Sequence, residues 1–271
     1  MKPIIKTIII ALMLVVAKGQ AQDFQGVATY KSHRKVDFKS STKLSPEMQK
    51  QIEQQMKSQF QQEYTLTFNK KESIYKQNEK LDAPSPAHSG GIMIKAMGGS
   101  DIMYKNVKEN RYTKKTEIFG KLFLVKDTLA NKKWELVNET KNIGDYTCFK
   151  AVFKDDYQTK TFNDKGEMVD ITKERTTTVW YTPQIPVNNG PADFYGLPGL
   201  ILEMNDGDLT LVCSKIVLNS KAPVKIEEPT KGKVVTQQDF DDIMDKKTKE
   251  MMEQFHSRRG GDNVERIMIG G

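Results

Sequence analysis

The sequence predicts a mostly β, α+β protein: a curved, largely antiparallel sheet of about ten strands, its concave face covered by helix or loop. Three observations predict it. Short segments rich in Val, Ile, Thr, Tyr and Phe alternate in polarity and are separated by Asn-, Asp- and Gly-containing turns. Two other stretches repeat their apolar residues at helical spacing instead. The chain has 271 residues and no internal repeat, enough to bury a large core in one domain.

The first segment is not part of that domain. Lys2 and Lys6 precede an unbroken apolar run from Ile8 to Ala17, followed by Gly19-Gln20-Ala21. These are the charged, apolar and small-residue regions of a secretory signal peptide, with cleavage expected after Ala21. The run is well short of the roughly 20 residues that span hydrocarbon, so no retained transmembrane segment is expected. No Cys sits near the cleavage point, which argues against a lipid anchor. The reading therefore divides the chain into 1–21, signal peptide; 22–256, one β-rich domain; and 257–271, a flexible tail.

Phe24 to Tyr30 reads as the first strand. Ser45-Pro46-Glu47 supplies an N-cap, a first-turn proline and an acid for a helix to about Gln62, with Met48, Ile52, Met56 and Phe60 on one narrow stripe. Tyr64 to Asn69 and Ser73 to Lys76 form a hairpin. Residues 79–100, with Pro84, Pro86, Gly90, Gly91, Gly98 and Gly99, read as a flexible loop within the domain. Strands resume at Ile102 to Tyr104, Arg111 to Phe119, Lys121 to Val125 and Trp134 to Val137. A turn at Asn142-Ile143-Gly144-Asp145 leads into a strand from Tyr146 to Phe153.

Arg175 to Thr182 is dense in β-branched and aromatic residues. Pro183, Pro186, Gly190, Pro191, Pro198 and Gly199 then fall within seventeen positions and imply an ordered but irregular crossover. Leu200 to Met204 and Leu209 to Leu218 flank Asn205-Asp206-Gly207-Asp208, the most strongly signalled hairpin of the chain. After a Pro- and charge-rich connector, Thr236-Gln237-Gln238-Asp239 resembles a capping box. It opens a helix to about His256, with Phe240, Ile243, Met244, Met251 and Phe255 on one face.

The residues that carry chemistry elsewhere are sparse. There are only three histidines, His33, His88 and His256, none with a second ligand type at metal spacing. No cofactor, metal or catalytic constellation is expected. Asp155-Asp156, Asp206 with Asp208, and Asp239-Asp241-Asp242 offer carboxylate pairs for hydrolysis, yet each sits where a turn or helix start already uses acids.

Without Lys2, Lys6 and Lys18 the chain keeps 39 Lys+Arg against 35 Asp+Glu, about +4, spread too evenly for a nucleic-acid groove. Cys148 and Cys213, in an oxidising compartment, suggest a disulfide. Successive pairing of their strands would separate them by roughly 14 Å, however, against the about 7 Å a bridge allows. Two small buried hydrophobes are the expectation.

Trp180-Tyr181-Thr182-Pro183-Gln184-Ile185-Pro186-Val187, Gly190-Pro191 and Phe194-Tyr195-Gly196-Leu197-Pro198-Gly199-Leu200-Ile201-Leu202-Glu203 closely resemble the GLPGLI family of exported bacterial proteins. Gly144 to Ala151, Phe24 to Tyr30, Tyr64 to Phe68 and Ser73 to Tyr75 also look like that family. The resemblance implies a signal peptide and a periplasmic, outer-membrane-associated or secreted location, and no mechanism. The architecture it implies looks like the half barrels of periplasmic lipoprotein carriers, a likeness of fold alone.

Within the motif, Leu197-Pro198-Gly199-Leu200 fits a type II turn, with Gly199 at positive φ. Leu197, Leu200 and Ile201 would be buried against Trp180 or Tyr181. The segment is either a rigid turn closing the sheet or the lip of a ligand groove. In the second case Trp180, Tyr181, Phe194, Tyr195, Gly196, Leu197, Pro198, Gly199, Leu200 and Ile201 would be contacts for an apolar small molecule or an envelope partner protein. The functions left open are a non-catalytic binding or carrier module, a structural envelope component, and a carboxylate-dependent hydrolase.

Overall fold

The computed structural model describes residues 24–35, 47, 61–78, 101–118, 120–162 and 168–258. Among them are twelve strands: β1 (Gln25–Arg34), β2 (Glu63–Asn69), β3 (Glu72–Gln77), β4 (Ile102–Asn106), β5 (Arg111–Ile118), β6 (Lys121–Thr128), β7 (Glu135–Ile143), β8 (Tyr146–Phe162), β9 (Met168–Thr182), β10 (Leu200–Asn205), β11 (Leu209–Leu218) and β12 (Lys233–Val235). One helix, α1 (Gln237–Arg258), follows. All twelve strands lie in one sheet, in the order β12-β6-β5-β4-β3-β2-β1-β11-β10-β9-β8-β7. Neighbours are antiparallel except β12, which runs parallel to β6. The sheet is thus two meanders, β1 to β6 and β7 to β11, joined where β1 pairs with β11.

Directly opposed residues of an antiparallel pair share a face, so register carries a face across the sheet. From β1 outward, Tyr30 meets Tyr64, Ala28 meets Leu66, Leu66 meets Tyr75, Tyr75 meets Met103, and Lys105 meets Tyr112. In the other direction Tyr30 meets Cys213, Leu211 meets Met204, Met204 meets Val179, and Val179 meets Ala151. This face is the packed one: Ala28, Tyr30, Leu66, Phe68, Ala151 and Val179 are fully buried. What covers it is the β9–β10 crossover, which lays Ile185, Val187, Phe194 and Leu197 onto the core.

A bulge places Leu202 between the pairs Ile201↔Tyr181 and Glu203↔Trp180, so Ile201 and Met204 both face that core. Helix α1 packs on the far end, Phe240 meeting Phe123 edge-on at 5.8 Å. Its start is as the sequence predicts, with Thr236 Oγ1 accepting from the Asp239 N–H at 3.1 Å.

Several expectations need correcting. Two helices were expected; the described residues contain one, and the segment from Ser45 to Gln62 lies outside them apart from a helical Glu47 and irregular Gln61 and Gln62. Residues 79–100, the first 23 and 259–271 also lie outside, and α1 runs through Arg258. Strands β8 and β9 reach well past the predicted Phe153 and Arg175 boundaries, because the paired segments 153–162 and 168–177, a two-stranded ribbon, are mostly polar and carry little apolar alternation to announce them. On one side of that ribbon Asp155 is salt-bridged to Arg175, and Arg175 lies 5.2 Å over the Tyr157 ring.

Candidate functional site

The motif segment is an architectural joint. Gly199 does not adopt positive φ; that conformation falls on Gly196, at +98°. The Gly199 N–H bonds the Leu197 carbonyl at 2.8 Å, a three-residue turn around Pro198. Meanwhile the Leu200 N–H leaves the turn for the Ile185 carbonyl at 3.0 Å. Gly199 is required for closeness: a Cβ there would stand 2.2 Å from the Thr182 carbonyl oxygen.

Around it, Leu197, Leu200 and Ile201 are buried, Tyr181 joins Leu197 and Ile201 in one cluster, and Trp180 packs against the cluster that contains Leu200 and Leu202. Pro198 and Gly196 are exposed. Trp180 carries Lys141 4.4 Å over its ring, itself paired with Glu203 at 2.7 Å.

Three side chains hold the crossover down through four long-range hydrogen bonds. The buried Tyr30 hydroxyl donates to the Ile201 carbonyl at 2.7 Å. Trp134 Nε1 donates to the Tyr195 carbonyl at 2.8 Å, and the Trp134 ring lies against Phe153 and Phe194. Lys105, wholly buried on β4, donates from Nζ to the carbonyls of Gly190 and Phe194, at 2.9 and 3.0 Å. Burial pushes the Lys105 amine down to about 7, with Asp193 opposing and Lys132 adding to the shift. Nothing in Tyr104-Lys105-Asn106 distinguished this lysine from a surface one.

Where the crossover, the β6–β7 segment and the start of α1 meet the inner face, they border a half-open cavity of about 780 Å³. Its apolar part is Tyr64, Tyr75, Met103, Leu129, Leu209 and Leu211; Tyr64 and Tyr75 stack at 5.1 Å and 7°. Tyr112 stands beside them and donates to Gln237 at 2.8 Å. Burial raises the Tyr64 and Tyr75 phenols, and brings Tyr112 up to about 12.

Charged groups complete the wall, mostly in pairs. Lys114 meets Asp101 at 3.0 Å and Lys132 meets Asp193 at 2.7 Å. Asp127 accepts the Gln237 N–H at 3.1 Å, capping α1 from the neighbouring sheet strand. Burial raises the Asp193 carboxyl, but Lys132, together with Lys105, outweighs it and holds the group below its ordinary value.

None of the ten motif residues predicted as contacts lines this cavity; their crossover contributes Ala192 and Asp193 instead. The predicted acids lie on three separate elements. Asp155 is paired with Arg175, Asp206 accepts from the Leu209 N–H at 2.8 Å, Asp208 is exposed in the same turn, and Asp241 accepts from Gln237. Cys148 and Cys213 are buried and free, with β9 and β10 between their strands.

His33 is exposed on β1, and His88 lies outside the described residues. Among the described residues no group of three or more His, Cys, Asp and Glu is placed to hold a metal. No helix among them is long and apolar enough to cross a membrane. The cavity escaped the sequence reading because its wall gathers residues from β1 through β6, β11 and three connections.

Fold and site together define an open-sheet β protein with one crossover-covered face and an aromatic cavity. Residues 134–203, from the approach to β7 into β10, match a family described as "Protein of unknown function (Porph_ging)". No curated protein matches the chain. Two solved structures of PNGF-II, in space groups C2 and P21, are similar to it at 15% identity, with TM-scores of 0.46 and 0.48 over 81% and 80% of this chain. The chain spans 32% of the length of each.

Proposed function

We propose that this chain is an exported, non-catalytic binding or carrier module that holds an apolar small molecule in the cavity beneath its crossover. The observation that carries the reading is the cavity itself. Its volume of about 780 Å³ falls within the range of small-molecule sites, and its wall sets aromatic and aliphatic side chains among a few convergent polar groups. Export is supported by the run from Ile8 to Ala17 and by the resemblance of the crossover to the GLPGLI family. A likeness to the half barrels of lipoprotein carriers fits the same role at the level of fold alone.

Nile red, a neutral apolar dye, tests the site. The protein is expected to bind it with a blue-shifted emission, and Met103→Trp, which adds a bulky ring to the cavity wall, to weaken binding while the melting temperature holds. Dye binding unchanged in Met103→Trp would place the dye outside the cavity, and no binding by the parent chain would favour a purely structural component. N-terminal sequencing of the mature protein from its own cells is expected to begin at Gln22; an intact Met1 would remove the export reading.

A further inference from the structure

Six charged side chains line the cavity, three cationic and three acidic. Five have partners: Lys114 with Asp101 at 3.0 Å, Lys132 with Asp193 at 2.7 Å, and Asp127 with the N–H groups of Thr128 and Gln237 at 2.7 and 3.1 Å. The sixth, Arg34, has neither an ion pair nor a side-chain hydrogen bond among the described residues.

Arg34 ends β1, and its register partner on β11 is Leu209, an apolar lining residue. On the other side stands Tyr64, close enough that the guanidinium charge opposes the upward effect of burial on the Tyr64 phenol. The Tyr64 and Tyr75 hydroxyls also have no hydrogen-bond partner among the described residues. One end of a largely apolar cavity therefore presents an exposed guanidinium and two phenolic donors without hydrogen-bond partners among the described residues, on a wall that also holds Asp101, whose Oδ1 is buried and unpaired.

We propose that the cavity selects a monocarboxylate amphiphile, with its carboxylate at Arg34 and the Tyr64 hydroxyl and its apolar body along Tyr75, Met103, Leu209 and Leu211. The proposal rests on the cavity being the binding site and adds the chemistry of what enters it. A carboxylate suits the geometry of guanidinium, which offers it two parallel N–H donors. Arg34 is exposed, so a neutral molecule of the same shape leaves it solvated and only forgoes the ion pair.

The test is displacement of Nile red by decanoate and, separately, by methyl decanoate, which keeps the apolar body and lacks the charge. The parent chain is expected to prefer decanoate by about tenfold or more, the effect of one charge-assisted contact. Arg34→Met is expected to bring decanoate down to the level of the ester while ester affinity, which reports an intact cavity, stays unchanged. Lys31→Met removes an exposed cation three positions earlier and is expected to keep the preference.

Equal affinities in the parent chain, or a preference that survives Arg34→Met, would overturn the carboxylate assignment and leave the cavity as an apolar site. Failure of both compounds to displace the dye would overturn the assignment and the binding-site reading together.

Discussion

Lys105, on β4 within the N-terminal meander, donates a hydrogen bond to the Phe194 carbonyl 3.0 Å away. It thereby ties the N-terminal meander to a crossover that belongs to the C-terminal one. The same amine reaches the Gly190 carbonyl, so two otherwise buried backbone acceptors depend on one side chain.

The Lys105 amine is lowered in the folded chain to about 7 from an ordinary 10.5. Between those values the unfolded chain binds more protons than the folded one, so this group makes stability rise with pH across that window. The slope approaches but does not exceed about 1.4 kcal/mol per pH unit for one proton. Urea unfolding at pH 6.5, 7.5 and 8.5 is expected to show the rise in the parent chain and a flatter profile in Lys105→Met. Equal slopes in the two would remove the account. Cys148 and Cys213, raised by burial to about 11 from 9.0, act oppositely: their contribution is lost as pH climbs from 9 towards 11.

Gly199→Ala is expected to be the most damaging conservative change in the motif. Its Cβ would meet the backbone of Thr182 at 2.2 and 2.5 Å, and no side-chain rotation relieves that. Gly196→Ala faces positive φ and a 3.2 Å approach to Trp134 Nε1, costing about 1–2 kcal/mol. Denaturant midpoints are expected to fall further for Gly199→Ala; the reverse order would contradict the close approach.

Glu228 pins the connector after β11 to the sheet, accepting from Arg111 at 2.9 Å, Thr113 at 2.6 Å and Lys126 at 3.1 Å. Burial raises its carboxyl, but these three contacts outweigh it and bring the group down to about 2 from 4.5. Its contribution is complete above the ordinary value and lost as pH falls from 4.5 towards 2. Glu228→Gln is expected to lower stability at pH 7 by about 1–2 kcal/mol, a deficit that shrinks as pH falls from 4.5 towards 2. A variant with unchanged stability at pH 7 would show the network to be inert.

Trp134→Phe keeps an aromatic ring against Phe153 and Phe194 but deletes the bond to the Tyr195 carbonyl. A loss of about 1–3 kcal/mol is expected, since that carbonyl becomes an unsatisfied acceptor. Calorimetric melting that leaves Trp134→Phe level with the parent would place the acceptor in contact with water.

The parts legible in the sequence are those set by neighbours along the chain. Asn205 and Asp206 turn β10 into β11 by accepting the N–H groups of Gly207 and Leu209, bonds two and three residues long. Thr236 caps α1 through Asp239 in the same local way. Long-range chemistry left no comparable trace. Lys105 reads as solvent-facing until the crossover is laid over it, and β12 is three residues whose pairing with β6 spans the whole β7–β11 meander. The cavity is a meeting of residues from both meanders, and Arg34 acquires its meaning only beside Tyr64.

The seam between β1 and β11 bears on the order of assembly. Each meander zips through short connections, but the seam joins residues as distant as Gln25 and Asn219, 194 apart in sequence. Loop closure over that span is the slowest entropic step available, and it is impossible until β11 has left the ribosome. For most of its synthesis the N-terminal half therefore carries β1 as an open edge, a template for pairing with other nascent chains. A chaperone that shields β1 until β11 arrives would govern the yield of folded protein more than any single core contact.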